Sequence, residues 1–241
     1  MNIKSAHSGF TLVEIAIVLV IVGLLIGGML APLSAQKEQE RRKENQQLLE
    51  EAREALIGYA VVNGRLPCPD TDPVNSPTSG QENVSVAAGA CGPNATANNF
   101  YPNGVLGRLP WVTLGIDAKF DPWGENHFIG YAVNGAFVRN DLALTTISAG
   151  PGQLDIYAVA NCPVGAQPVA TDVPAVIWSS AKNFYFQAPT SSADENENVN
   201  DDNCFVSRNY NTLANFEFDD QMVWLSRNIL FNRMVTAGTL P

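Results

Sequence analysis

The chain is 241 residues long, 46% apolar and 16% charged, with a formal net charge of -10. That length admits one generous domain or two small ones. A surface so acidic repels nucleic acid and anionic lipid, so no nucleic-acid partner is expected.

The first element is an apolar run. Residues 10–33, FTLVEIAIVLVIVGLLIGGMLAPL, carry no charge except Glu14. About twenty apolar residues, rising ~1.5 Å each, cross a ~30 Å hydrocarbon core, so the run predicts one membrane span. The flank before it holds a single charge, Lys4, which predicts an N-terminus inside and an exported bulk. A cleavable secretory signal would be shorter and would place its small residues after the apolar stretch. Here Ser8-Gly9 precede it. A carboxylate near the middle of a membrane costs about 2.5 to 3.5 kcal/mol, so Glu14 requires a shallow position or a partner.

The stretch Gly9-Phe10-Thr11-Leu12-Val13-Glu14 resembles the prepilin processing motif of type IV pilins and type II secretion pseudopilins. The resemblance implies that a prepilin peptidase cuts between Gly9 and Phe10 and methylates the new amine. It also implies that Glu14 pairs with the N-terminal amine of a neighbouring subunit and so recruits it to a filament. The plainer reading of Glu14 is a carboxylate snorkelling to the headgroups. Gly23, Gly27, Gly28 and Pro32 allow close helix approach and weaken the helix, which predicts a kink or meltable stretch at 27–32. The partners implied are the prepilin peptidase, other pilin or pseudopilin subunits, and the bacterial inner membrane. The head would then lie in the periplasm, or at the cell surface in a pilus.

Residues 34–47 are polar on every face, which predicts a helix running through solvent. An apolar stripe then begins: Leu48, Leu49, Ala52, Ala55, Leu56, Tyr59 and Ala60, helical in its spacing, with Asn63-Gly64 as the stop. Residues 70–104 read as a loop region. Asp121-Pro122-Trp123-Gly124 is a turn signature and also resembles part of the head of the major type II secretion pseudopilin. Asn134-Gly135 between HFIGYAV and AFVRN predicts a hairpin. Further strands are expected at 154–160, 175–180, 183–188 and 221–226, then a helix capped by Ser226 and ended by Gly238. The expected fold is α+β, pilin-like: a long N-terminal helix whose second half packs on an antiparallel β-sheet head. Its parts are a leader at 1–9, a membrane and assembly helix at 10–33, an amphipathic extension at 34–63 and a globular head at 64–241.

Four cysteines, Cys68, Cys91, Cys162 and Cys204, follow the apolar run, and none forms a C-x-x-C pair. That favours two disulfides in an oxidising compartment over a zinc site or buried thiols. Three connectivities exist; sequential pairing is the expectation, because each bridge would close one Gly/Asn-rich loop. Enzymatic constellations are poor. His127 is the one histidine outside the expected leader, and no serine, metal-binding or phosphate-binding motif accompanies it. The tract 191–204 offers Asp194, Glu195, Glu197, Asp201 and Asp202, hard oxygen ligands of the kind calcium takes. It lacks EF-hand spacing, so a calcium site there competes with a solvated acidic loop, and no other cofactor is expected. The function expected is structural, a pseudopilin or minor pilin. The alternatives are a filament-tip adhesin or substrate-binding module using loops 70–104 and 189–215, and an anchored periplasmic enzyme.

Overall fold

The computed structural model describes residues 9–73, 76–85, 90–91, 104–125, 127–138, 154–163, 165–182, 192–200, 203–213 and 216–240, with the side chains of 27–33, 85, 90, 104 and 105 outside that set. The backbone forms two compact units, Met1–Arg41 and Arg42–Pro241.

Helix α1 spans Leu12–Asn63. Helical assignment continues through Gly27, Gly28 and Pro32. The helix stops where the sequence says it should. Gly64 takes φ 70 and donates its N–H to the Ala60 carbonyl at 2.8 Å, a left-handed end that glycine adopts without a Cβ penalty.

The second unit begins with the last part of α1, whose Leu49, Ala52, Leu56, Ile57 and Ala60 are buried. Burial starts earlier than the polar sequence predicts. Asn45 lies one turn before Leu49 on the same stripe; it is fully buried and donates to Gln221 Oε1 at 3.0 Å. Arg42 donates to the Asp219 carbonyl, and Gln221 Nε2 donates back to the Arg42 carbonyl, both at 3.0 Å. The stretch from Arg42 to Gln47 is therefore part of the head and not a solvent bridge, because hydrogen bonds to Asp219 and Gln221 fasten it there.

Beyond Gly64 come β1 (Val84–Ser85) and β2 (Ala90–Cys91), an antiparallel pair, then β3 (Gly104–Arg108), α2 (Trp111–Leu114) and β4 (Gly130–Asn134). A 3-10 helix over Gly135–Phe137 follows, then β5 (Leu154–Tyr157), β6 (Ala170–Val173), β7 (Ala175–Ser179), α3 (Ala193–Glu197), β8 (Cys204–Val206), β9 (Gln221–Trp224) and α4 (Arg227–Thr236). One sheet has the order β3-β4-β7-β9, all antiparallel; a smaller sheet has the order β6-β5-β8, in which β5 and β8 run parallel. The head is thus not wholly antiparallel.

The larger sheet is buried on both faces, so β4 and β7 read as unbroken apolar runs. Tyr131, Val133, Ala175, Ile177 and Val223 meet α1 and α4 on one side. Ala132, Val176 and Trp178 meet Leu154, Ile156 and Phe205 of the smaller sheet on the other. The Asn-Gly hairpin does not form. Gly135 enters the 3-10 helix, because the Asn134 side chain accepts the Ala136 N–H at 3.0 Å and caps it; Phe137 then turns into the core. The expected strand at 183–188 lies outside the described residues.

Gly130 sits opposite Trp178 in the register of β4 and β7. A Cβ there would lie 2.4 Å from the indole Cε2 and 2.5 Å from Cζ2, and the ring is fully buried. Gly130→Ala is expected to destabilise the chain by about 1–3 kcal/mol, the usual cost of overpacking. Gly58→Ala, on an exposed face of α1 with nothing within 4 Å, should be neutral or gain about 0.5–1 kcal/mol. Urea unfolding of the two variants checks the contrast, and equal stabilities would remove Trp178 as the reason for the glycine.

Candidate processing and assembly site

In the first unit, Gly9 and Phe10 precede α1, and Phe10 is 82% exposed. The first turn is held by a reciprocal cap. Thr11 donates its N–H to Glu14 Oε2 at 2.9 Å and its hydroxyl to the same oxygen at 2.8 Å, while the Glu14 N–H reaches Thr11 Oγ1 at 3.3 Å. This is a capping box, which satisfies amide groups that every helix start leaves without partners. The T-x-x-E spacing that encodes it stands in the sequence, and it gives Glu14 a partner other than an amine or the headgroups. Glu14 thus has an intrachain role that does not need a neighbour.

From Leu12 to Ile26 the large apolar side chains are exposed, and Leu12, Val13, Ala16, Ile17, Val20 and Ile21 line a shallow apolar groove. An apolar surface that continuous marks contact with lipid or with other protein. Among the described residues, no helix is long and apolar enough to cross a membrane. The side chains of 27–33, on which the expected span also draws, lie outside the described set.

The cysteines pair as Cys68–Cys91 and Cys162–Cys204. The first bridge closes beside a polar anchor, where Arg65 grips Glu82 with both terminal nitrogens at 2.8 and 2.9 Å and Tyr59 donates to Glu82 at 2.6 Å. Burial is the main opposing influence on Glu82, yet the Arg65 and Tyr59 hydrogen bonds hold its carboxyl below the ordinary range.

Over the described residues 192–200 the acidic tract is not a solvated loop. Ser192 precedes α3, in which Glu195 and Glu197 are buried. Asp194 pairs with Arg208 at 2.9 Å and accepts the Ala160 N–H at 2.8 Å. Glu197 accepts the Asn161 N–H at 2.8 Å and Asn200 Nδ2 at 2.9 Å. Those two acids serve protein donors, which tie α3 to the end of β5 and to Arg208. Glu195 accepts the Asp219 N–H at 2.9 Å and forms a close cluster with Asp219 and Asp220, neither of which the sequence singles out. Burial, then the Glu195 charge, pushes the Asp219 carboxyl up to about 6; burial also drives Asp220 well above the carboxylate range. Asp201 and Asp202 lie outside the described residues.

His127 does meet an acid and a serine, but in the wrong order for hydrolysis. The buried Ser179 hydroxyl donates to Asp121 Oδ2 at 2.6 Å, and His127 Nδ1 lies 2.7 Å from the Ala181 carbonyl and 4.0 Å from Asp121 Oδ1. A serine nucleophile gives its proton to the imidazole and needs access to substrate. This serine is bonded to the aspartate and fully buried. What the group does is fasten the turn at Asp121, where Trp123 N–H also reaches Asp121 Oδ1 at 2.9 Å, to the end of β7.

Residues 4–30, which contain Gly9, Phe10 and the Thr11–Glu14 cap, match the family described as the prokaryotic N-terminal methylation motif. The chain carries a prepilin motif. Such a motif is the N-terminal mark of type IV pilins and pseudopilins, and here it covers residues 4–30 alone. No curated protein and no solved structure matches the chain. The prepilin motif stops short of the head, whose β5–β8 parallel pair and α3 must be read on their own physical terms.

Proposed function

We propose that this chain is a pilin-like filament subunit that is processed at Gly9–Phe10, held in the bacterial inner membrane by residues 10–33 and assembled through that helix. Its head faces the periplasm, or the cell surface in a pilus, and the filament is a type II secretion pseudopilus or a type IV pilus. The observation that carries this reading is the methylation motif at 4–30 lying on a helix whose apolar side chains stand exposed from Leu12 to Ile26. Such a helix start suits a membrane before assembly and a bundle of like helices after it.

Processing is tested by the intact mass of the membrane-extracted protein. The mature chain is expected to begin at Phe10 and to carry one methyl group on its amine. A mass that retains residues 1–9 in cells with an active prepilin peptidase, or a cut on the far side of the apolar run, would overturn the proposal.

A second reading, a tip adhesin or substrate-binding module on the same anchor, draws on Leu213 and Phe216, which are 67% and 62% exposed. The Phe216 N–H reaches the Leu213 carbonyl at 2.9 Å, beyond the Asn211–Phe218 bridge. An apolar tip of that kind suits a protein partner.

A further inference from the structure

Among the described residues beyond the apolar run, the exposed aromatic rings are Tyr210 and Phe216, and Leu213 stands exposed between them. All three belong to the segment 209–216, NYNTLANF, which carries no charge. The Asn211–Phe218 bridge closes the base of this arm, and Arg208 Nη2 donates to the Phe216 carbonyl at 3.1 Å. Two cations flank the Tyr210 ring: the Arg42 guanidinium lies 4.2 Å over it, and Lys182 Nζ is 3.5 Å from its hydroxyl. Asp219 and Asp220, just past the arm, are buried, so the exposed acid at this end is Glu217. The arm is fastened to the first residue of the head. Arg42 donates to the Asp219 carbonyl, and its own carbonyl accepts Gln221 Nε2. Arg42 follows Leu33, where the apolar run ends, by nine residues. Along a helix that separation is about 13 Å, of which the headgroup layer takes up about 5–7 Å. An extended chain from Tyr210 to Leu213 reaches about 10 Å, enough to cover the remainder.

We propose that the 209–216 arm is a second membrane contact, in which Leu213 and Phe216 enter the lipid surface and Tyr210, Arg42 and Lys182 meet its headgroups. This rests on the reading that residues 10–33 lie in that membrane. Aromatic rings with a polar edge settle at headgroup level, and cations beside them attract lipid phosphate. The occupant is lipid and not a protein for two reasons. The arm is tied to Arg42, which follows the lipid-held segment closely along the chain, and the cations at its base complement phosphate. The net negative charge of the chain does not prevent the contact. Fields from exposed charges fade within about 10 Å in salt, and 209–216 itself holds no acid. A single helix in a bilayer leaves the head free to turn about the helix axis. A second contact removes that freedom, so the head presents a fixed face before the subunit enters a filament.

The test reconstitutes the full chain in vesicles of phosphatidylethanolamine with a smaller share of phosphatidylglycerol. A trace lipid carries a photoactivatable diazirine on its acyl chain, near the glycerol end. After illumination, mass mapping of peptides locates the lipid adducts. They are expected both within 10–33 and within 209–218. The double variant Leu213→Ser with Phe216→Ser should lower the second set at least tenfold and leave the first set unchanged. Both side chains are exposed, so the circular dichroism of the variant should match wild type. Adducts in 10–33 with none at the arm overturn the second contact and leave the anchor reading standing, with the tip then open to a protein partner. Adducts in neither region overturn both. Arm adducts that persist undiminished in the double variant overturn the assignment of Leu213 and Phe216 as the inserted groups.

Discussion

Replacing Cys162 and Cys204 together by alanine is expected to destabilise the head by about 4 kcal/mol, and replacing Cys68 and Cys91 by about 3.5 kcal/mol. Both figures follow from the entropy that a closed loop removes from the unfolded chain, with sequence separations of 42 and 23 residues. The larger effect falls where the topology is least local. Cys204 opens β8, and β8 pairs in parallel with β5, which brings Asp155 opposite Cys204. Parallel neighbours require a long connection, here through β6, β7 and α3, and the entropy of closing it must be met before β8 can dock. The bridge keeps the ends of that excursion together when the chain is unfolded. Urea unfolding of oxidised wild type and the two double variants, with thiol titration to verify the bridges, provides the measurement. If the Cys162/Cys204 variant matches wild type, the β5–β8 pair stands without its staple and the entropic account fails. The cost is large beside the 5–15 kcal/mol by which domains are ordinarily stable, so reduction of both bridges is expected to unfold the head.

Periodicity made the helices legible. Leu49, Ala52, Leu56 and Ala60 repeat at helical spacing, and Gly64 and Gly238 stand where α1 and α4 end. Strands β5, β7 and β9 were legible too, because LDIY, AVIWS and QMVW are apolar or aromatic runs between turn residues. Strand β3 was not, since GVLGR carries two glycines, and Gly107 is there because the Asp70 carbonyl lies 2.7 Å from where a Cβ would stand. Three-residue β8 gives too short a run for any period to register. The Asn134-Gly135 signal misled for a chemical reason: an asparagine side chain can cap as readily as it can enter a tight turn.

The site residues divide in the same way. Gly9, Phe10 and Glu14 lie within one short stretch, so a local pattern reveals them. Glu195 and Asp219 are 24 residues apart, and only the fold places the acidic helix against the entry to β9. Composition drew attention to 191–204, but composition cannot tell Asp194, which serves Arg208, from Glu195, which faces two other acids. Nor does Asp219-Asp220, after Phe218, look different in sequence from an exposed acidic turn.

Glu14→Leu is expected to reduce incorporation of the subunit into filaments to near zero while leaving insertion and the head intact. Removing an acid from an apolar segment makes insertion easier. The head forms its own compact unit from Arg42 onward and contains both disulfides. What is lost is the charge proposed to pair with a neighbour's amine at Phe10. The Thr11–Glu14 cap adds a second explanation that leucine alone cannot separate, because leucine also removes the acceptor for the Thr11 N–H and hydroxyl. Glu14→Gln separates them. A glutamine oxygen still closes a capping box, which uses Glu or Gln at that position, but it carries no charge. If intersubunit pairing governs assembly, the glutamine variant fails as leucine does. If the cap governs it, glutamine assembles near normally, and Thr11→Ala, which keeps the charge, fails instead. The quantity to measure is the amount of this protein in sheared filaments relative to the total in the membrane, across the four chains. Equal incorporation in all of them would remove Glu14 from assembly and leave it the cap of a helix.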